Sequence, residues 1–186
     1  MREIEVKVLA VDRDAAMARL REIGARCDFD GLMQALYFDT PDRRLSRRRD
    51  SLRLRREGSR SVLNFKAHVA ETEMKEKEEI ETDVGDFEAA RAILLGLGYE
   101  IWLEMEKRRQ AFVADLLPGV HFVFDRYLGA HAFVPEYLEL EAPSQELLRK
   151  AVRATGFSMR DTVPWNAFEV IEHYRKLLNG SGRESK

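Results

Sequence analysis

Cysteine is almost missing from this 186-residue chain, and with Cys27 alone no internal disulfide can form. Long apolar runs are missing too: none approaches the roughly 20 residues of a membrane helix, and no stretch follows a signal-peptide pattern. These absences predict a cytoplasmic protein with no membrane partner. Charge of one sign is also lacking, because the net charge is −2 although 34% of residues are Asp, Glu, Lys or Arg. A uniformly basic nucleic-acid binder is thereby excluded, while local segregation of charge is not. The four histidines, His68, His121, His131 and His173, fit no metal-ligand spacing such as H-x-x-x-H. Internal repeats and a regular strand-helix alternation are absent as well, which argues against a parallel sheet.

What is present suits one well-filled core: 45% of residues are apolar and nothing divides the chain in two. One domain over residues 1–178 is expected, followed by a disordered tail over 179–186. Strands are predicted over residues 3–8, 32–40, 51–56, 60–68, 99–115, 120–128 and 137–141, with Glu57-Gly58-Ser59 closing a hairpin. Helices are predicted over 13–25 behind an Asp12 cap, 87–97, from Pro143-Ser144 to about 154, and 165–178 after Pro164. Residues 71–81 fit either state, because Glu73 and Lys77 have helical spacing while Lys75, Lys77, Glu79 and Glu81 share one face of a strand. The pattern is α+β with many antiparallel strands.

The strands are two-faced. Ile4, Val6 and Val8 alternate with Glu3, Glu5 and Lys7; Leu52 and Leu54 alternate with Arg53 and Arg55; Leu138 and Leu140 alternate with Glu139 and Glu141. Carboxylates two apart on a strand lie about 6.8 Å from each other and repel by roughly 2.4 kcal/mol at an effective dielectric of about 20. Half-exposed strands commonly carry charge on the solvent side. Here, however, the charges sort by sign: carboxylates at 3, 5, 139 and 141, cations at 53, 55, 107 and 109. If the sheet curls so that these faces point inward, a carboxylate cluster and a cation cluster share one interior. A divalent cation and a polyanion satisfy both, since magnesium takes carboxylate and phosphate oxygens and Arg forks match phosphate.

These residues resemble the CYTH family, the triphosphate tunnel enzymes that include class IV adenylyl cyclases, thiamine triphosphatases and inorganic triphosphatases. Glu3-Ile4-Glu5-Val6-Lys7 is similar to the family's ExExK signature. Further matches follow in order: Tyr37-Phe38-Asp39-Thr40, Leu52-Arg53-Leu54-Arg55, Lys66, Glu79-Ile80-Glu81, Lys107-Arg108-Arg109, Asp125 and Glu139-Leu140-Glu141. The resemblance implies a closed antiparallel eight-stranded β-barrel with helices packed outside, and it turns residues 71–81 toward strand. It implies that Glu3, Glu5, Glu139 and Glu141, with Asp125, hold Mg2+ or Mn2+. Lys7, Arg53, Arg55, Lys66, Lys107 and Arg109 would cradle the phosphates, joined by Lys75 and Lys77, and Glu5, Lys7 and Glu141 would be catalytic. The expected partner is a triphosphate-containing small molecule, and homodimers are common in the family. Pro164-Trp165-Asn166-Ala167-Phe168 departs from the Ser-Tyr pair that family members often carry near the C-terminal plug, so contacts there do not transfer.

The expected reaction is metal-dependent hydrolysis of a triphosphate: tripolyphosphate, thiamine triphosphate or a nucleoside triphosphate. The alternative is a class IV adenylyl cyclase that makes cyclic AMP and pyrophosphate from ATP. A non-catalytic triphosphate or nucleotide sensor is a third reading, disfavoured because gripping a polyanion needs cations but not four carboxylates. Cys27 has only Arg26 to activate it and is expected to be incidental. Arg43, Arg44, Arg47, Arg48 and Arg49 form a basic loop, and Trp102, Leu103, Phe112 and the stripe Phe168, Ile171, Tyr174, Leu178 read as packing surfaces.

Overall fold

The computed structural model describes residues 2–71 and 75–181, with side chains over 4–68 and 78–180. Its strands are β1 (Arg2–Val8), β2 (Arg26–Asp39), β3 (Ser51–Glu57), β4 (Arg60–Glu71), β5 (Lys75–Val84), β6 (Glu100–Val113), β7 (His121–Tyr127) and β8 (Tyr137–Ala142). The helices are α1 (Arg13–Glu22), α2 (Arg44–Arg47), α3 (Phe87–Gly96), α4 (Gln145–Ala154) and α5 (Ala167–Ser181). Three helix starts are set by polar caps. The side chains of Asp12, Asp86 and Ser144 accept from the backbone N–H groups of Ala15, Ala89 and Leu147, each cap contributing about 1 kcal/mol. Helix α5 runs through Ser181 rather than stopping at 178, so residues 179–181 are helical, and the rest of the expected tail, 182–186, lies outside the described residues.

All strand pairings are antiparallel and run in the order β1-β5-β4-β3-β2-β6-β7-β8, with β8 pairing in turn with β1. The sheet curls strongly. Among the described residues the seam between β1 and β5 runs from Arg2 opposite Glu78 to Glu5 opposite Lys75. Of the described residues, 79–84 of β5 pair with β4 alone, and the eight strands curl around one interior. The eight antiparallel strands with helices outside are as the resemblance implies, each strand hydrogen-bonded to two neighbours. Strand β5 does settle the ambiguous segment as a strand from Lys75 onward.

Alternation along the strands sends apolar side chains outward beneath helices and charged ones inward. On one outer face Ile4, Val6, Phe122, Phe124, Leu138 and Leu140 pack against α1 and α4 through Ala16, Leu20, Leu148 and Val152. On another, Leu36, Phe38 and Leu54 meet Phe87 and Leu94 of α3. Burying one such side chain contributes about 1.5–3 kcal/mol. The third apolar group is on the inner face: Met33, Ala35, Met105, Tyr127 and Tyr137 are capped by Val170 and Ile171 of α5, which plugs one end. Among the described residues no helix is long and apolar enough to cross a membrane.

Candidate active site

The interior is a cavity of about 1390 Å³, lined by side chains from all eight strands and from the segment that opens α5. Strands β1 and β8 supply its acidic side. Their register sets Glu5 opposite Glu141 and Lys7 opposite Glu139. Oxygens of Glu5, Glu139 and Glu141 all lie within 4.8 Å of one another. The Lys7 ammonium sits among them, 3.3 Å from Glu139 Oε2 and 3.5 Å from Glu5 Oε1, and is only 2% exposed. Burial works to lower the Lys7 pKa, but the fields of Glu139 and Glu5, with Glu141 behind them, raise it above the usual ammonium value. Three carboxylates around one ammonium leave an excess of negative charge, and carboxylate oxygens are the donors that hard divalent cations take. The donor set therefore fits Mg2+ or Mn2+. Glu3 pairs through its backbone with Lys77, and the side chains of Glu3, Lys75 and Lys77 lie outside the described ones.

Strands β6 and β7 build the opposite wall. Asp125, fully buried, accepts from Arg109 Nε at 2.8 Å and Nη2 at 2.7 Å, and from Lys107 Nζ at 2.8 Å. The Tyr137 hydroxyl accepts from Lys107 at 2.6 Å. Burial would raise the Asp125 pKa, but Arg109 and Lys107 drive it well below the carboxylate range. Both Asp125 oxygens are thus engaged by cations, and this carboxylate stands apart from the Glu5–Glu139–Glu141 cluster. Its two oxygens order the Lys107–Arg109 pair.

On β3, β4 and β5 the cations have carboxylate neighbours that sequence reasoning does not single out as site residues. Arg55 lies 3.5 Å from Glu57 and 3.6 Å from Glu81, Lys66 lies 3.3 Å from Glu79, and Arg109 reaches Glu57 at 3.1 Å. Arg55 nonetheless keeps a buried Nε without a hydrogen-bond partner among the described residues. Its pKa is lowered, by burial first and then by the charge of Arg53. Burial raises the Tyr37 pKa, but Arg53 and Lys107, whose fields reach the hydroxyl, bring it below the ordinary phenol value.

The structure thus brings together Glu5, Lys7, Arg53, Arg55, Lys66, Lys107, Arg109, Glu139 and Glu141 around one cavity. Of the basic loop, Arg49 reaches the lining, whereas Arg47 pairs with Asp42 at 2.5 Å and Arg48 with Asp50 at 3.0 Å. Asp39 of the Tyr37-Phe38-Asp39-Thr40 motif serves the fold, since its buried carboxylate accepts from the N–H groups of Thr40, Leu45 and Ser46 and so clasps α2. His68 and His121 line the cavity, although sequence reasoning gives histidine no part in it. Phe112 and Ile171 are core as expected, but Phe168 is 41% exposed and faces the cavity beside Trp102.

Comparison with known proteins bears on this arrangement. Residues 1–164 match the family model of the CYTH domain. A Methanocaldococcus jannaschii protein named "Putative adenylate cyclase" is 27% identical over 112 residues, covering 60% of this chain and 64% of that protein. The match therefore spans slightly less than two thirds of that curated relative. Among solved structures, a Vibrio parahaemolyticus protein described as a "putative adenylate cyclase" superposes with a TM-score of 0.77 at 20% identity, over 91% of this chain and 97% of that one. A Hippeastrum protein, described as a "putative adenylyl cyclase" with a dominant triphosphatase activity, gives 0.64 at 16% identity, over 92% and 95%. At these identities the structural likeness establishes the fold.

Proposed function

Because the chain belongs to the CYTH family, we propose that it is a divalent-metal-dependent enzyme acting on triphosphate substrates, and that its reaction is hydrolysis of a terminal phosphoryl group. One observation carries this reading: a carboxylate cluster and a set of buried guanidinium and ammonium groups face each other across a single cavity. Glu5, Glu139 and Glu141, with Glu3, would hold Mg2+ or Mn2+. When bound, such an ion neutralises phosphate oxygens and activates a water. Arg53, Arg55, Lys66, Lys107 and Arg109 would grip the phosphates, with Lys75 and Lys77 as further cations from β5. Arg55 suits this role because its Nε donor is buried without a partner among the described residues, so a phosphate oxygen supplies what the fold does not. Lys7 stays protonated among the carboxylates and keeps them from splaying apart. Asp125 fixes Lys107 and Arg109 and leaves metal holding to the glutamates.

Val170 and Ile171 keep water from the plugged end. Full closure of the barrel around bound substrate belongs to this proposal. The test is to incubate purified protein with tripolyphosphate, thiamine triphosphate and ATP, each with magnesium or manganese, and to resolve the products. Orthophosphate release supports hydrolysis. Cyclic AMP with pyrophosphate would replace it by cyclase chemistry, and tight binding without turnover would make the protein a sensor.

A further inference from the structure

The cavity continues past the cations into a line of aromatic rings that phosphate groups do not need. Tyr37, whose hydroxyl feels Arg53 and Lys107, is followed by Trp102 at a ring-centroid distance of 6.2 Å, and Trp102 by Phe168 at 5.3 Å, both edge-to-face. Trp165 lines the same cavity from the segment that opens α5. Phe168 is 41% exposed there, although an aromatic ring on the first turn of a helix that buries Val170 and Ile171 could as readily have packed inward. Tyr37 and Trp165 pack partly on the core while Phe168 stays open to the cavity, and an exposed apolar ring contiguous with a charged pocket is what a surface kept for a ligand presents. Planar faces recognise other planar faces, and stacking is worth enough to select a ring over none.

We infer that Trp102 and Phe168, with Trp165, form a subsite for a planar heteroaromatic group carried on the triphosphate, so that the substrate is an organic triphosphate and not tripolyphosphate alone. This rests on the triphosphate reading of the cavity and narrows it. A nucleobase and the rings of thiamine share this chemistry, and separate arms of the test distinguish them.

The experiment is equilibrium titration of the full chain with tripolyphosphate, ATP and thiamine triphosphate, with calcium in place of magnesium to hold turnover low. Wild type, Phe168→Leu and Trp102→Leu are compared, after circular dichroism establishes that each variant is folded. The chain has only two tryptophans and both line the cavity, so intrinsic emission gives a direct signature. A stacked ring should quench it and tripolyphosphate should not. In the variants, affinity for ATP or for thiamine triphosphate should fall at least about 5-fold relative to tripolyphosphate, the lower end of what one lost stacking contact removes. A selective fall for ATP identifies a nucleobase, and one for thiamine triphosphate a thiamine ring. Ratios that stay at the wild-type value, or wild type that prefers tripolyphosphate to both, overturn the subsite and leave the phosphate reading standing. Binding of none of the three ligands overturns both.

Discussion

Asp125→Asn separates a charge-ordering carboxylate from a metal-holding one. In the wild-type chain the fully buried carboxylate takes a bidentate fork from Arg109 and a third bond from Lys107, both of them buried. The amide keeps the shape but leaves two buried cations facing a neutral group, and breaking a buried ion pair from one side costs about 3–5 kcal/mol. Arg109 retains Glu57 at 3.1 Å, which favours the lower half of that range. At roughly 2–4 °C per kcal/mol for a chain of this size, the metal-free variant should melt about 6–16 °C lower at neutral pH. The pH dependence has a definite sign. The folded-state pKa of Asp125 is depressed, so the stability it contributes is complete above about pH 4 and disappears as the pH falls through the lowered value. The gap between wild type and variant should therefore narrow in acid. Thermal denaturation followed by circular dichroism between pH 3 and 8 measures it, and tripolyphosphate should raise the Tm of the variant more than that of wild type by replacing the missing negative charge. A variant that melts within about 1 kcal/mol of wild type at neutral pH, yet loses magnesium affinity, would refute this reasoning and place Asp125 among the metal ligands.

Glu141→Gln should abolish metal-dependent turnover while the apo protein keeps its fold; product release during a manganese titration checks this, and full turnover would contradict the metal role. Arg55→Ala should weaken triphosphate binding by about 1.5–3 kcal/mol, roughly 10- to 150-fold, as a lost charged hydrogen bond requires. Calorimetric titration reads it, and an unchanged Kd would exclude Arg55 from the phosphate site. Asp39→Ala should cost about 1–3 kcal/mol, because it strips acceptors from the N–H groups of Leu45 and Ser46. Hydrogen exchange should quicken over residues 44–47 while β7 stays protected.

The sign-sorted faces are legible in the sequence because strand alternation is a local property: Glu139 and Glu141 must share a side whatever they pair with. The partners of each charge depend on register, which local reading does not supply. Folding the chain about Leu117, in the Leu117-Pro118-Gly119 turn, sets Arg109 directly opposite Asp125. That step shows Asp125 to be neutralised by its own hairpin. The antiparallel pairing of β4 with β5 likewise sets Lys66 opposite Glu79. Residues 26–31 escape a strand assignment from sequence because Asp28, Asp30 and Gly31 have weak strand preference, yet their pairing with β6 overrides it. The C-terminal aromatics read as packing because helical spacing does not say that the first ring of a stripe lies past the edge of what it covers.

Register also divides the cations into two kinds. Lys107 and Arg109 share a buried carboxylate, and although burial works against their charge, Asp125 raises both pKa values above the ordinary ones. They are positive because the fold makes them so. Arg55 has carboxylates nearby at 3.5 and 3.6 Å, too long to offset its burial and the charges of Arg53 and Arg109, and its pKa is lowered. A polyanion entering the cavity relieves the second kind and adds little to the first. Triphosphate affinity should then depend more steeply on Arg55 than on Lys107, even though Lys107 is the more deeply buried of the two. Lys107→Met should show its main effect as lost apo stability, since it unbalances Asp125, and Arg55→Met as lost affinity with a Tm close to wild type. The opposite assignment of the two losses, measured on the same preparations, would mean that charge compensation by the fold does not govern which cations bind phosphate.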